Sequence, residues 1–433
     1  MFNKFTATLL ALLSALLFGS QTFAQKAIVL FKQSESNVSS LDHSAYQGFL
    51  QAANEKSVGD LKKWIGRRGR GDIRNLWLIR GAVVDLTEGQ LGELAKEGWV
   101  HSIVPDQNRR FISPAGNITA KPTLKDLASE SQQQWNLERM GIPRLRTEFP
   151  QIDGRGVRVG ILDTGIQSRH PEFLTANVAV FRDFVNGIAS PYDDNGHGTH
   201  TSGTIVGGTT GIAPAATLMV AKVFSATGMG SDSTILEAMQ WMYDPQGNGT
   251  DYPRVVSNSW GADISGNDVF NMAEFEPYRL ALQAWINGGI VPVFAAGNSG
   301  SSPNGIPGGL PEAFAVGAMG PMDQIAPFSS RGPNLWKIGP SVFSFLKPDF
   351  TAPGVKVASA FPPNQYATMD GTSMATPHVA GSLALMFQAD SKISVAGAKT
   401  LLVKSSLKKT DSQFGYGILD TYQLVKLASS TPR

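Results

Sequence analysis

From residue 135 onward, short apolar runs that end in turn residues alternate with stretches of helical character. The apolar runs include VRVGILDTG, ATLMVAKVFS, RVVSNSWG and GGIVPVFAAGNSG, and the helical stretches include STILEAMQWMY and EPYRLALQAWI. Near-continuous apolar strands that alternate with helices are typical of a parallel sheet covered on both faces. The pattern predicts an α/β unit over residues 135–433, with a mostly parallel central sheet and functional groups beyond the carboxyl ends of its strands.

A smaller unit with a different pattern precedes it, over residues 25–110. Its segments read as strand, helix, two strands, helix and strand: KAIVLFK, LDHSAYQGFLQAAN, LWLIRGAVVDL, TEGQLGELAKEGW and WVHSIVP. Thr87 and Gln90 have the spacing of a capping box at the start of the second helix. This order predicts a small α+β, ferredoxin-like sandwich. Residues 111–134 are polar, with few large apolar side chains, and predict a linker.

The first 24 residues carry the pattern of a secretory signal peptide. Lys4 precedes the apolar run LLALLSALLFG, and SQTFA follows with the small residue Ala24 at its end. A positive start, a short apolar stretch and small residues before a cut define such signals, so we expect cleavage after Ala24. No later segment reaches the roughly 20 apolar residues of a membrane span. We therefore expect a secreted protein, extracellular or periplasmic, with no membrane attachment after signal removal.

Composition narrows the function classes further. Hydrophobic residues make up 42% of the 433, which is enough for a large core. The formal charge of +2 is too small to indicate a nucleic acid or an anionic membrane as partner. The basic run GRRGRG is short and lacks interleaved aromatic residues. Because the chain has no cysteine, disulfides, thiolate nucleophiles and cysteine-ligated metals are excluded.

Three polar residues stand in a pattern that indicates nucleophilic catalysis. Asp163 ends the run VRVGILD, His197 lies between glycines in DDNGHGTH, and Ser373 lies among small residues in DGTSMATPHVAG. A serine hydroxyl needs a base to take its proton, and that imidazole needs an acceptor on its other nitrogen. One aspartate, one histidine and one serine on glycine-bearing loops supply these parts.

A fourth residue could stabilise developing negative charge. Attack on an acyl carbonyl creates an oxyanion, which requires hydrogen-bond donors fixed in advance. Asn298, in FAAGN, follows an apolar run, and its side-chain amide can donate one hydrogen bond. The backbone N–H of Ser373, at the start of a helix, can donate another.

Each of these residues also has a structural interpretation. Ser373 could cap the helix that follows it, and Asp163 could bind turn amides after its strand. His197 could join its neighbours His200, Asp193 and Asp194 in a metal site, although their spacing matches no metal motif.

The neighbouring polar residues favour structural roles. We expect His200 to serve helix packing and His378, on the helix after the candidate serine, to be structural as well. We expect Asp193 and Asp194 to order the loop before His197 rather than to act in catalysis.

The segments ILDTGI, DDNGHGTHTSG, AAGN and DGTSMATPHVAG resemble the four signature blocks of the subtilisin-like serine proteases, in that family's order. The order Asp, His, Asn, Ser differs from those of chymotrypsin-like enzymes and α/β-hydrolases. The resemblance covers about residues 135 to 425, including SNSWG, FSSRGP, KPDFTAPG and GYGILD.

The resemblance implies a secreted serine endopeptidase with four assigned roles. Ser373 is then the nucleophile, His197 the general acid and base, Asp163 the residue that orients His197, and Asn298 the oxyanion donor. Loss of this asparagine costs roughly 10²–10³ in turnover in that family, a figure that belongs to the family and not to this chain.

The resemblance also implies how peptides are held. The family adds an extended substrate as a strand between two exposed edges, which here match Gly228-Met229-Gly230 and Ser259-Trp260-Gly261. Gly305 matches the floor of the pocket for the side chain before the cut, so we expect tolerance of large apolar or aromatic side chains. The unit at 25–110 resembles the family's inhibitory propeptide, which implies a self-processing zymogen. We expect the enzyme to act as a monomer.

One departure from the family concerns calcium. Many members carry a calcium-binding loop after the histidine helix, whereas here IVGGTTGIAPAA runs almost directly into the next strand. We therefore expect no required cofactor and no metal at that loop, with weaker calcium sites elsewhere left open.

Two other function classes remain as alternatives. A non-catalytic binding protein on a protease scaffold would normally lack a triad or oxyanion residue, and none is missing here. An esterase would be expected to carry GxSxG, which the order Gly371-Thr372-Ser373-Met374-Ala375 does not match.

Overall fold

The computed structural model describes residues 24–32, 41–68, 71–112, 134–173, 177–263, 269–303, 305–407 and 410–430. The expected signal peptide, up to residue 23, and most of the expected linker lie outside these ranges. None of the helices in the described ranges is long and apolar enough to cross a membrane.

The N-terminal unit has the predicted order of elements. Its strands and helices are β1 (Gln25–Phe31), α1 (His43–Gly66), β2 (Ile73–Leu76), β3 (Gly81–Leu86), α2 (Glu88–Leu94) and β4 (Val100–Pro105). The strands form an antiparallel sheet in the order β2-β3-β1-β4. The capping box at α2 is present, with Thr87 and Gln90 each accepting from the other's backbone N–H.

Two details of this unit differ from the sequence prediction. Helix α1 continues to Gly66, well beyond the predicted segment. The run LWLIRGAVVDL, expected to supply two strands, contains β3 but only the last residue of β2, because the 3₁₀ helix Trp77–Ile79 and a left-handed Arg80 (φ 50°) turn the chain between β2 and β3. The next residue, Gly81, has no room for a side chain, because a Cβ there would lie 2.5 Å from the carbonyl oxygen of Val29.

The larger unit is built on a seven-stranded sheet. Its strands are β6 (Arg158–Asp163), β7 (Asn177–Asp183), β8 (Thr217–Lys222), β10 (Val255–Asn258), β12 (Val291–Ala295), β13 (Phe314–Met319) and β16 (Phe350–Pro353). All neighbours pair in parallel, in the order β16-β13-β12-β10-β6-β8-β7. The predicted parallel sheet is confirmed.

Shorter strands and eight helices complete the described fold. The strands are β5 (Asn108–Arg110), β9 (Met229–Ser231), β11 (Phe270–Asn271), β14 (Asn334–Ile338), β15 (Ser341–Phe345), β17 (Val357–Phe361) and β18 (Gln365–Met369). The helices are α3 (Trp135–Arg139), α4 (Ile142–Glu148), α5 (His197–Val206), α6 (Asp232–Tyr243), α7 (Glu276–Asn287), α8 (Thr372–Ala389), α9 (Val395–Ser405) and α10 (Thr421–Ser429).

Helices cover both faces of the large sheet, as predicted. Successive residues of β6 point to opposite faces, so Ile161 joins a core with Leu383 of α8, while Leu162 joins a second core with Met239 of α6 and Trp285 of α7. Burial on both faces explains why these strands read as continuous apolar runs.

The small unit packs on the α6 and α7 side of the large one. One face of its sheet forms its own core, and the other contributes residues such as Leu30 and Leu78 to the core around α6 and α7. His43, which carries no signal in the sequence, stacks between the rings of Tyr243 and Tyr252 at 4.0 and 3.5 Å. Asp106 accepts hydrogen bonds from the backbone N–H (2.8 Å) and hydroxyl (2.6 Å) of Ser233 in the first turn of α6.

Candidate active site

Asp163 is the last residue of β6, so its side chain lies at the carboxyl edge of the sheet. Its carboxylate is buried and accepts from the backbone N–H of Thr164 at 2.7 Å and the hydroxyl of Thr201 at 3.2 Å. The same oxygen that binds Thr164 lies 2.8 Å from Nδ1 of His197. These donors hold the carboxylate in one orientation toward the imidazole.

His197 is the first residue of α5 and is almost fully buried. The next residue must be glycine, because a Cβ on Gly198 would lie 2.2 Å from the carbonyl oxygen of Gly165. Burial lowers the pKa of His197, but the charge and hydrogen bond of Asp163 outweigh it and, with Asp193, raise the pKa above its ordinary value. Within the described residues Nε2 has no hydrogen-bond partner, so it can accept a proton.

Ser373 lies in the first turn of α8 and does not cap the helix. The cap position is Gly371, which makes no side-chain hydrogen bond. The hydroxyl of Ser373 donates to the carbonyl oxygen of Ser259 at 2.8 Å and does not bond to His197. The hydroxyl turns this way because the carbonyl of Ser259 offers it an acceptor. Helices α5 and α8 pack against each other, which brings His197 and Ser373 to the same edge of the sheet.

Asn298 follows β12 and lies beside the start of α8. Its side-chain oxygen accepts from both the backbone N–H and the hydroxyl of Thr372, each at 2.9 Å. The carbonyl end of the amide is thereby occupied, which leaves the NH₂ group to donate to another acceptor. An amide fixed in advance in this way suits a developing oxyanion.

A pocket of about 340 Å³ opens beside Ser373 and Asn298. Its lining comes mainly from two segments, one with Trp260, Gly261, Ala262 and Asp263 and the other with Ala295, Gly297 and Ser299, and also includes Gly305 and Phe328. Gly305 is held close to the opposite wall, where a Cβ would lie 2.7 Å from the carbonyl oxygen of Ala262. A side chain at position 305 would therefore reduce this space.

The tail of the N-terminal unit lies between the two predicted substrate edges. Strand β5 pairs antiparallel with β9, so that Arg109 is opposite Gly230 and Arg110 is opposite Met229. The N–H of Phe111 donates to the carbonyl of Gly228, and its carbonyl accepts from the N–H of Gly261, both at 3.0 Å. Residues 108–112 are thus held as an added strand, in the manner of β-augmentation.

Phe111 anchors this tail through its ring. The phenyl group is buried, with its centroid 5.6 Å from that of Trp260 and 5.5 Å from that of Phe224. The predicted residues Gly228, Met229, Gly230, Trp260 and Gly261 all lie along the bound tail. Ser259 reaches the site through its carbonyl, as the acceptor for Ser373.

The neighbouring polar residues have partners within the protein. Asp193 accepts from the N–H groups of Gly196 and Thr199, each at 2.8 Å, which orders the loop before α5. His200 directs Nε2 toward the carbonyl oxygens of Val357 and Ala367, both at 3.1 Å.

The two other predicted structural residues also bind within the protein. His378 lies between the side chain of Asn136 at 2.9 Å and the carbonyl of Met374 at 2.8 Å. Asp194 pairs with the buried Lys222 at 2.6 Å.

Comparison with known proteins agrees with this geometry. Residues 154–417 match the sequence profile of peptidase S8, the subtilase family. The chain belongs to the subtilase family. It is 33% identical to Subtilisin Savinase of Lederbergia lenta over 69% of this chain and 98% of that protein. It is 35% identical to the serine protease AprX of Bacillus subtilis over 71% of this chain and 74% of that protein.

A longer match extends into the N-terminal unit. The chain is 31% identical to Bacillopeptidase F of Bacillus subtilis over 88% of its own length, although it spans only 28% of that protein. This subtilase is a subtilisin-like serine endopeptidase, as the sequence predicted.

Several residues of the site were not identified from the sequence. Thr372 fixes the amide of Asn298, Phe224 completes the aromatic surface under Phe111, and Lys222 donates to the carbonyls of Thr164 and Phe224. Lys222 could have been identified from the sequence, since a lysine at the end of an apolar strand should have buried hydrogen-bond partners. The other two depend on contacts between distant segments.

Proposed function

We propose that this subtilase is a secreted endopeptidase made as a precursor whose own N-terminal unit blocks the substrate groove. The observation that carries the proposal is the position of residues 108–112, paired with β9 and Gly261 beside the pocket at Ser373. A chain segment held there excludes any substrate that binds by the same backbone hydrogen bonds. The signal pattern at residues 1–24 supports export.

The proposed reaction follows from the positions of four side chains. When a substrate N–H donates to the carbonyl oxygen of Ser259, it displaces the hydroxyl of Ser373. That hydroxyl can then turn toward Nε2 of His197. His197 removes the proton as Ser373 attacks the substrate carbonyl carbon, and Asp163 stabilises the imidazolium. Asn298 and the N–H of Ser373 bind the oxyanion. His197 then protonates the leaving amine. Water takes the place of the amine and attacks the acyl carbon while His197 removes its proton, and Ser373 leaves as His197 returns that proton to it.

The N-terminal unit is proposed to act as an intramolecular inhibitor that the enzyme removes. Its docking is extensive, since its sheet shares a core with α6 and α7 and His43 is enclosed by tyrosine rings. The proposed cut lies C-terminal to the docked tail, within residues 113–134. After the cut the tail would still occupy the groove until the unit dissociates or is degraded.

The pocket beside Ser373 is proposed to take large apolar or aromatic side chains. Its walls include Ala262, Ala295 and Phe328, and glycine at position 305 leaves its floor open. Incubation of the processed enzyme with a peptide library, with cuts located by mass spectrometry, should show Phe, Tyr, Leu or Met before the cut at least about tenfold more often than Ala or Gly. A strict requirement for a charged residue at that position would contradict the proposal.

We also propose that this subtilase needs no calcium at the loop after α5. Glu172, almost fully buried, accepts from the N–H groups of Thr209 and Thr210 at 2.8 and 3.1 Å and from the hydroxyl of Tyr366 at 2.9 Å. Calcium requires oxygen ligands, whereas the loop turns N–H donors toward this carboxylate. The residues at this loop therefore do not fit a calcium ion. Glu172 orders the loop through its hydrogen bonds, without a metal.

Replacing Glu172 by glutamine should destabilise the folded protein by about 3 kcal/mol, because a neutral amide cannot accept from all these donors and leaves buried groups unpaired. Thermal unfolding, measured in a Ser373→Ala background to prevent self-digestion, would show the loss. Glu148→Gln is the matched control, since that exposed carboxylate also binds a tyrosine hydroxyl, that of Tyr422. A chelator should leave the unfolding midpoint unchanged, and a drop as large as that of Glu172→Gln would argue for a bound cation.

A further inference from the structure

The docked tail shows where side chains of an extended peptide are directed. In β5 the side chains of Asn108 and Arg110 are exposed, while Arg109 is half-buried and Phe111 is buried. This alternation is that of a strand with one face on the protein. Any peptide that adds to β9 in the same register will place side chains at the positions of residues 109 and 111.

Arg109 faces a carboxylate at the far end of the groove. Its guanidinium donates to Asp232 at 3.4 Å and lies 6.0 Å from the centroid of the Phe275 ring. The side chain of Asp232 is only 6% exposed, and its second oxygen accepts from the hydroxyl of Tyr278 at 2.8 Å. A carboxylate with so little solvent requires a cation or strong donors nearby.

The carboxylate belongs to the large unit, whereas its cation belongs to the tail. When the tail leaves the groove, Arg109 leaves with it, and so does the nearby acidic residue Asp106. Asp232 stays behind on α6, Tyr278 on α7, and Phe275 at the residue before α7. With the groove filled, burial raises the pKa of Asp232 and the charge of Arg109 opposes that effect. A peptide that fills the groove as the tail does would therefore be favoured if it also carries a cation opposite Asp232.

We propose that Asp232, with Tyr278 and Phe275, forms a specificity subsite for a basic side chain of the substrate. The subsite is two residues before the position that packs on Trp260 and Phe224. It would select extended polypeptides with arginine or lysine at that position, and arginine best, because its planar group can also stack on Phe275. This inference rests on the proposed endopeptidase function and on the substrate binding as the tail does.

The test compares peptides that differ only at this position. Internally quenched peptides are built on a sequence that the library shows to be cleaved, extended to carry phenylalanine at the Phe111 position. At the Arg109 position, two residues before this phenylalanine, the peptides carry arginine, citrulline, lysine or glutamate. Citrulline has nearly the shape of arginine without its charge. For the processed enzyme we expect kcat/KM about tenfold higher with arginine than with citrulline, and lowest with glutamate.

Asp232→Asn should bring the arginine-to-citrulline ratio close to one. Asp323→Asn is the matched control, because it removes a carboxylate paired with Arg139 at 2.5 Å outside the groove, and it should keep the full ratio. If Asp232→Asn does not fold, the ratio of the unaltered enzyme decides by itself. Equal cleavage of the arginine and citrulline peptides by that enzyme would overturn the subsite while leaving the peptidase intact. If no peptide were cut at all, the proposed function would fail instead.

Discussion

The Ser373→Ala protein should accumulate as an uncut precursor and lose roughly 10⁶-fold in kcat, the size of effect that nucleophile loss has in subtilases. Two hydroxyls at the start of α8 line the pocket beside Asn298, those of Thr372 and Ser373. The hydroxyl of Thr372 is bound to Asn298, which leaves that of Ser373 as the nucleophile. In the proposed mechanism no acyl-enzyme can form without the Ser373 hydroxyl. Mass spectrometry of the exported chain should then find a single product that begins near Gln25 and still contains residues 113–134.

Ser382→Ala provides the matched control for this experiment. Ser382 lies on the same helix and its buried hydroxyl also donates to a carbonyl, that of His378 at 2.7 Å, but it is more than two turns from the pocket. This variant should be processed and should react with a serine-directed phosphonate like the parent. If purified Ser373→Ala protein were still trimmed with no other protease present, self-processing would be wrong. If it kept its activity on casein, the assignment of the nucleophile would be wrong too.

The parts of this fold that the sequence predicts best are those set by local pattern. The four apolar runs are β6, β8, β10 and β12, four of the five interior strands, which read clearly because both of their faces are buried. The edge strand β7 carries charged residues at its end. The capping box at Thr87 is equally local, since three residues define it. Strand order and the side on which the small unit docks depend on contacts between distant segments, which periodicity does not encode.

The candidate site likewise has residues that the local sequence identifies and contacts that it does not. Asp163, His197, Asn298 and Ser373 stand out because each combines a reactive side chain with a glycine-rich setting. The pairing of Arg109 with Asp232 joins residues more than a hundred positions apart, and each alone resembles an ordinary surface charge. The orientation of the Ser373 hydroxyl cannot be predicted from the sequence either, because it depends on the carbonyl of Ser259, 114 positions away.

Asp163→Asn should lower kcat by about 10⁴-fold while leaving the fold and substrate binding intact. The carboxylate of Asp163 accepts from three donors, namely Nδ1 of His197, the N–H of Thr164 and the hydroxyl of Thr201. One oxygen binds both the N–H of Thr164 and Nδ1 of His197, and the other binds Thr201. An asparagine that keeps its oxygen toward Thr164 and Nδ1 places its NH₂ toward the hydroxyl of Thr201 and removes the negative charge. The imidazolium that forms when His197 takes the proton of Ser373 then loses its stabilising partner. The expected loss is therefore in kcat, with KM for a peptide substrate nearly unchanged.

The pH dependence separates this electrostatic role from a merely structural one. The proposed mechanism requires the base form of His197. Burial lowers the pKa of His197, but Asp163 holds it above its ordinary value, so kcat/KM should rise with pH through that raised pKa. Without the carboxylate, burial remains and the pKa of His197 should fall, which moves the acid limb of the profile to lower pH. The deficit of Asp163→Asn should accordingly shrink as the assay becomes more acidic. An acid limb that stays in place would mean that Asp163 does not set the proton affinity of His197, and that another group performs its role.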